Sequence, residues 1–143
     1  MKIYVSGSIY GGTQKIDTYK ILIEELEKYG EVLNKEIADP NTIANEVYQK
    51  DEDIFNDLEE KLIISDVLVA EVSIPSLGVG FELGFADKLN KKIIAIYDKN
   101  YTPKVTTMIR GNKRITLIPY QRIEEITNNL DKILVEYLQN KER

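Results

Sequence analysis

The chain has 143 residues, a formal net charge of −5, 43% hydrophobic and 30% charged residues, and neither cysteine nor histidine. Those figures describe a single globular domain over residues 1–143, with enough chain for a real core. They exclude disulfides, thiolate metal sites, Ser-His-Asp triads and the usual zinc sites, so any chemistry must run on Asp, Glu, Tyr, Lys, Ser or Thr. The acidic balance argues against a nucleic-acid partner, which wants a basic face. No apolar run approaches the roughly 18 residues of a membrane span, and the N-terminus opens on a strand instead of a signal peptide, so a cytoplasmic location away from membranes is expected.

In chain order, Lys2–Ser6 reads as a first strand, followed by a glycine- and hydroxyl-rich loop, Gly7–Gly12. A first helix runs from about Thr13 to Tyr29, with Tyr19, Leu22, Ile23 and Leu26 at helical spacing and Gly30 as its stop. Glu31–Leu33 is a short second strand, and Asn34–Asn41, with Pro40, is a loop. The spacing of Ile43, Val47, Ile54, Leu58 and Leu62 predicts one long helix over Thr42–Ile64. Asp66–Val72 is a buried third strand, ended by a loop with Pro75, Ser76, Gly78 and Gly80. A third helix, opening between Val79 and Phe81, reaches Leu89. Lys92–Tyr97 is strand four, Asp98–Thr102 a turn, Pro103–Gly111 a short helix and Arg114–Pro119 strand five. A last helix covers Arg122–Gln139, with Ile123, Ile126, Leu130, Ile133, Leu134 and Tyr137 on its inner face, before a frayed tail from Asn140 to Arg143.

Strands alternating with helices predict an α/β fold with a five-stranded parallel sheet, of flavodoxin-like order 2-1-3-4-5. In such sheets ligands bind beyond the carboxyl ends of the strands, where the order reverses. That point lies between strands one and three, and the loops leaving those two strands are the richest in glycine and serine. Glu82 is expected in the first turn of the helix after the second loop. A carboxylate there would be held ionised by the helix dipole and free amides, as suits a nucleophile better than a proton donor. Neither loop is a known nucleotide fingerprint. Gly78–Gly84 has its last glycine one residue late for G-x-G-x-x-G, and Gly7–Gly12 lacks the lysine of a P-loop.

Three blocks carry a family resemblance: K-I-Y-V-S-G-S-I-Y-G-G at Lys2–Gly12, S-D-V-L-V-A-E-V-S-I-P-S-L-G-V-G-F-E-L-G at Ser65–Gly84, and M-I-R-G at Met108–Gly111. Together they resemble the 2′-deoxynucleoside 5′-phosphate N-hydrolases, of the nucleoside 2-deoxyribosyltransferase superfamily. The resemblance implies a flavodoxin-like fold, a homodimer, and no metal or organic cofactor. It also implies cleavage of a deoxynucleoside monophosphate into free base and 2-deoxyribose 5-phosphate. By position Glu82 matches the family's nucleophile and Tyr4 the tyrosine that holds it. Ser6, Gly7, Ser8, Ile9, Tyr10, Gly11, Ser76 and Gly78 match its substrate- and phosphate-binding loops. Ser76 stands where the transferases, which take unphosphorylated nucleosides, have an acid, and so favours a monophosphate. Thr106 matches a serine offered to the neighbouring subunit's phosphate. Tyr10 departs from the arginine of the vertebrate members, and Glu36 stands where some relatives have histidine. Asp66 reads as a strand-start cap and Glu71 as structural.

The family's proton donor is a helix-two aspartate eight residues before the strand-three aspartate. Eight residues before Asp66 stands Leu58, and Asp57 is one further back. On a regular helix that shift turns a side chain by roughly 100°. A one-residue bulge between Lys61 and Ser65 would absorb it and leave Asp57 as the acid, with Asp53 as the fallback. A base-exchanging transferase and a non-catalytic nucleotide-binding module on the same fold remain alternatives.

Overall fold

A computed structural model describes residues 1–9, 15–101 and 104–141, with the backbone alone for 136–141. Five strands, β1 (Lys2–Gly7), β2 (Glu31–Val32), β3 (Val67–Glu71), β4 (Lys92–Asp98) and β5 (Ile115–Tyr120), form one sheet in the order β2-β1-β3-β4-β5. Every neighbouring pair is parallel, in the expected order. Side chains alternate along each strand, so each face of the sheet carries its own apolar cluster. Ile3, Val5, Val67, Val69, Ile94 and Ile96 share one face, and Tyr4, Leu68, Ala70, Ile93 and Ala95 the other.

Helix α1 (Ile16–Leu26) covers the first face through Tyr19, Leu22, Ile23 and Leu26, joined by residues of α6 (Glu124–Thr127) and α7 (Leu130–Lys141). The second face is covered by α3 (Asp51–Ile64), α4 (Leu77–Lys88) and α5 (Thr107–Arg110), through Leu62, Val79, Leu83, Ala86 and Ile109. No helix among the described residues is long and apolar enough to cross a membrane.

Several expected elements are corrected. The single helix over Thr42–Ile64 is two, α2 (Thr42–Glu46) and α3, because Lys50 is extended at φ −79° and ψ 143°. The triplet Asp51, Glu52 and Asp53 then opens α3, where the positive end of the helix favours acidic residues. Val47, 78% exposed, and Tyr48, 90% exposed, project from the connection instead of lining a helix face. Helix α4 begins at Leu77, earlier than expected, because the Ser76 hydroxyl caps it by accepting from the Val79 amide at 3.3 Å. The last helix is interrupted between Thr127 and Leu130 and continues to Lys141, so Asn140 is helical and not part of a frayed tail. Thr13, Thr102, Pro103 and the Tyr137 side chain fall outside what is described. α1 ends at Leu26, short of Tyr29, so Gly30 is not its stop; the requirement at Gly30 is space, since a Cβ there would lie 2.1 Å from the Met1 carbonyl oxygen.

The edge beside β1 is completed by a side chain. β2 pairs only with Lys2 and Ile3. Beyond it the buried Asn34 amide takes over, its Oδ1 accepting from the Val5 amide at 2.8 Å and its Nδ2 donating to the Val5 carbonyl. Asn34→Ala would strand both groups of Val5 inside the protein. A loss of about 2 kcal/mol in urea unfolding is expected, and an unchanged midpoint would refute this reading of the edge.

Candidate active site

A cleft of about 800 Å³ opens at the carboxyl ends of β1 and β3, where the strand order reverses. One wall is the end of β1 and its exit, Tyr4 to Ile9, and the opposite wall is Pro75, Ser76, Leu77 and Gly78 at the start of α4. Asn34, Glu36 and Ile37 line a third side, and Asp57, Leu58 and Lys61 of α3 a fourth. Glu82 faces the same space. The described start of the first loop, Gly7 to Ile9, and the second loop therefore line one crevice. Tyr10 and Gly11 lie outside the described residues. Gly7 is required by close packing, since a Cβ there would lie 2.7 Å from the Tyr19 ring.

Glu82 departs from expectation in place and in charge. With Ser76 as cap, it lies in the second turn of α4, too deep for the first-turn amides to bind it. Burial pushes its carboxyl up from 4.5 to about 7, against the lowering effect of Ser6 and Tyr4. Desolvation therefore outweighs hydrogen bonding, and the carboxylate is not held ionised by a helix dipole. Burial, and then the Glu82 charge, raise the Tyr4 phenol well above its ordinary range. Tyr4 is thus a protonated donor facing Glu82. The buried Ser6 Oγ also faces this carboxylate, close enough to lower its pKa but without a hydrogen bond of ordinary geometry.

On the α3 side, Asp57 lines the cleft with its side chain 60% exposed, and its Oδ2 lies 2.7 Å from Lys61 Nζ. Lys61 also pairs with Glu36 at 2.8 Å. Burial works to lower the Lys61 pKa, but the bonds to Asp57 and Glu36 prevail and raise it. The bulge expected between Lys61 and Ser65 does not form. α3 stays helical to Ile64, the Ser65 amide donates to the Lys61 carbonyl, and Lys91 Nζ caps the Ile63 and Ser65 carbonyls. Asp57 reaches the cleft from a regular helix, while Asp53 is exposed and does not line it.

Thr106 is not in the cleft of its own chain. It is exposed and caps α5, its Oγ1 accepting from the Met108 amide at 3.4 Å. Asp66 behaves as a strand-start clamp, accepting from the Lys2 amide at 2.8 Å. Glu71 is buried, with Oε1 accepting from the Ser73 amide at 2.7 Å. Sequence reasoning missed Lys61 and Asn34 as cleft residues. The four-residue spacing of Asp57 and Lys61 on one helix was a readable signal; nothing local marked Asn34.

The sequence model of the nucleoside 2-deoxyribosyltransferase family matches residues 3–130. The chain belongs to this family. Among similar proteins of the family, the 5-hydroxymethyl-dUMP N-hydrolase of Esox lucius is 36% identical over 140 residues, covering 96% of this chain and 95% of the relative. A protein of Syntrophotalea carbinolica with the provisional name 2′-deoxynucleoside 5′-phosphate N-hydrolase 1 is 33% identical over 136 residues, covering 95% and 96%. The CMP N-glycosidase structure of Clostridium botulinum shares the fold, with a TM-score of 0.65 at 18% identity over 92% of this chain and 99% of that one.

A raised carboxyl pKa is also a stability statement. Folded Glu82 keeps its proton up to about pH 7, against an ordinary value of 4.5, so its contribution is intact below about 4.5 and lost as pH rises through 7. Glu82→Gln is expected to stabilise the protein at pH 8, by at most about 3 kcal/mol, and to change little at pH 4. Thermal melts at the two pH values check this; equal shifts at both would contradict a desolvated, destabilised charge.

Proposed function

We propose that the protein hydrolyses the N-glycosidic bond of 2′-deoxynucleoside 5′-monophosphates, giving free base and 2-deoxyribose 5-phosphate, through Glu82. The chain is an N-glycosidase by its family and by near-full-length relatives at 33% and 36% identity that are named N-hydrolases. The observation that carries the finer reading is the half-buried, desolvated Glu82 carboxyl facing Tyr4, in the cleft shared by both serine- and glycine-rich segments. Cleavage at C1′ builds positive charge on the sugar, which a neighbouring carboxylate stabilises or captures. In this reading Glu82 attacks C1′ and forms a glycosyl ester while the base departs with a proton from Asp57. Water then cleaves the ester, gives its proton to the Asp57 carboxylate and restores Glu82. Asp57 must leave its pair with Lys61 and take up a proton from solvent before it donates one, and Lys61 retains Glu36 when it does.

Ser76, Gly78 and the Ser6–Ile9 segment hold the 5′-phosphate, with Tyr10 and Gly11 assigned there on sequence alone. The first-turn amides of Leu77 and Gly78 have no acceptor within α4 and face an anion favourably. The test is release of free base from deoxynucleoside monophosphates. Glu82→Gln is expected to lower turnover about 100-fold or more, and Asp57→Asn to act most strongly on bases that leave poorly. Turnover should also fall as pH drops through about 7, because Glu82 must be ionised to act. Near-normal turnover by Glu82→Gln would overturn the mechanism.

We also propose a homodimer in which Thr106 reaches the partner's phosphate site. Its support is a set of exposed apolar side chains, on α3 and α4 beside the cleft and on α5 next to Thr106. Leu77 is 97% exposed, Phe81 54% and Met108 79%, and Phe55 and Phe81 meet edge to face at 6.1 Å. Gly80 and Gly84 on α4 have open space where a Cβ would stand, which lets another helix approach closely. Light scattering at assay concentration should give a dimer, and Thr106→Ala should weaken monophosphate binding. A fully active monomer would refute the assignment.

A further inference from the structure

Behind the cleft, at the carboxyl ends of β3, β4 and β5, lies a group of buried charges that the proposed reaction does not use. Lys15 is 4% exposed and Glu71 2%. Lys15 Nζ donates to Asp98 Oδ2 at 2.9 Å and to the Tyr120 hydroxyl at 3.0 Å, and stands 3.7 Å from Glu71 Oε2. The ammonium also lies over the rings of Tyr101 and Tyr120, at 4.6 and 5.2 Å from their centroids. Among the described residues Glu71 Oε2 accepts no hydrogen bond, and the carboxylate is offset by this ion pair and by the Ser73 amide on its other oxygen. Lys15 is the N-cap residue of α1. A cation there opposes the helix dipole, so local preference does not explain it.

The two carboxylates of the group are tied to one wall of the cleft, and the helix that Lys15 opens is tied to the other. Glu71 Oε1 accepts from the Ser73 amide at 2.7 Å, and the Asp98 amide donates to Ser73 Oγ at 2.8 Å. Ser73 begins the segment that ends in the Ser76 cap. On the opposite wall, Tyr19, one helical turn after Lys15, donates its hydroxyl to the Ser8 carbonyl at 2.9 Å and packs where a Gly7 side chain would stand.

We infer that Lys15 is a positioning residue for the phosphate end of the cleft: its ammonium, clamped between Glu71 and Asp98, fixes the spacing of the Gly7–Ser8 and Ser73–Ser76 walls. The inference rests on the monophosphate reading above. Lys15 touches no substrate in it. Remote binding energy orients the reacting bond only if the remote anchor is in place, so loosening the walls removes the benefit of the phosphate and spares the rest.

The experiment compares kcat/KM for a deoxynucleoside monophosphate and its unphosphorylated nucleoside in wild type, Lys15→Met, Lys15→Arg and the double variant Lys15→Met, Glu71→Gln. The double variant keeps the net charge of the group and leaves no stranded Glu71 carboxylate, so it carries the test if Lys15→Met alone does not fold. The expected result is a loss of about tenfold or more in the preference for the monophosphate in both Met variants, with kcat falling as well as KM rising. The nucleoside rate should stay within about threefold, and Lys15→Arg should keep most of the preference. Inhibition by inorganic phosphate should weaken in parallel. A folded double variant with wild-type preference would overturn the inference while leaving the monophosphate reading intact. A wild type with no preference for the monophosphate would remove both.

Discussion

A parallel sheet has to be covered on both faces, and that constraint places everything else in this protein. Each crossover must run over one face or the other, and the direction changes at β1 and β3, which lie side by side. The chain leaving β1 turns to the α1 face and the chain leaving β3 turns to the α4 face. The backbone therefore parts above two adjacent strands, and the cleft is the gap left behind. Its walls are strand ends anchored in two separate apolar clusters, a rigid footing for the phosphate anchor and the reacting carboxyl proposed above.

Within that gap the balance of electrostatic effects is set by burial. Glu82 sits one turn deeper in α4 than an N-terminal acid would, and loses more from desolvation than it regains from Tyr4 and Ser6. The protein carries this unfavourable charge facing open space, where the developing cation of the proposed reaction would relieve it. The Lys15 group meets the same difficulty differently, by surrounding one ammonium with two carboxylates and two aromatic rings. The Glu36–Lys61–Asp57 chain is more exposed, its strength is reduced by solvent, and its partners can exchange. Charge burial thus grades from fixed to exchangeable around the cleft.

Much of this was legible in the residues. Short apolar runs, glycine-rich exits and the helical spacing of Tyr19, Leu22, Ile23 and Leu26 indicated the α/β class, because hydrophobic periodicity and turn chemistry are local properties; the strand order, and the crevice with it, followed from the common arrangement of small α/β chains. The motif in Ser65–Gly84 put Glu82 and Ser76 in one unit. The acid triplet Asp51–Asp53 and the Ser76 hydroxyl were also visible as helix-start signals, though apolar spacing and the glycines of Gly78 and Gly80 masked them. Tertiary structure alone decided the rest. Glu82's pKa depends on side chains of β1, far away in sequence. Asn34 matters because β2 ends two residues into its ladder and leaves Val5 unpaired. Lys15 finds Glu71, Asp98 and Tyr120 only once three strands lie side by side. A buried charge or amide is defined by what surrounds it, and those surroundings come from parts of the chain that only folding brings together.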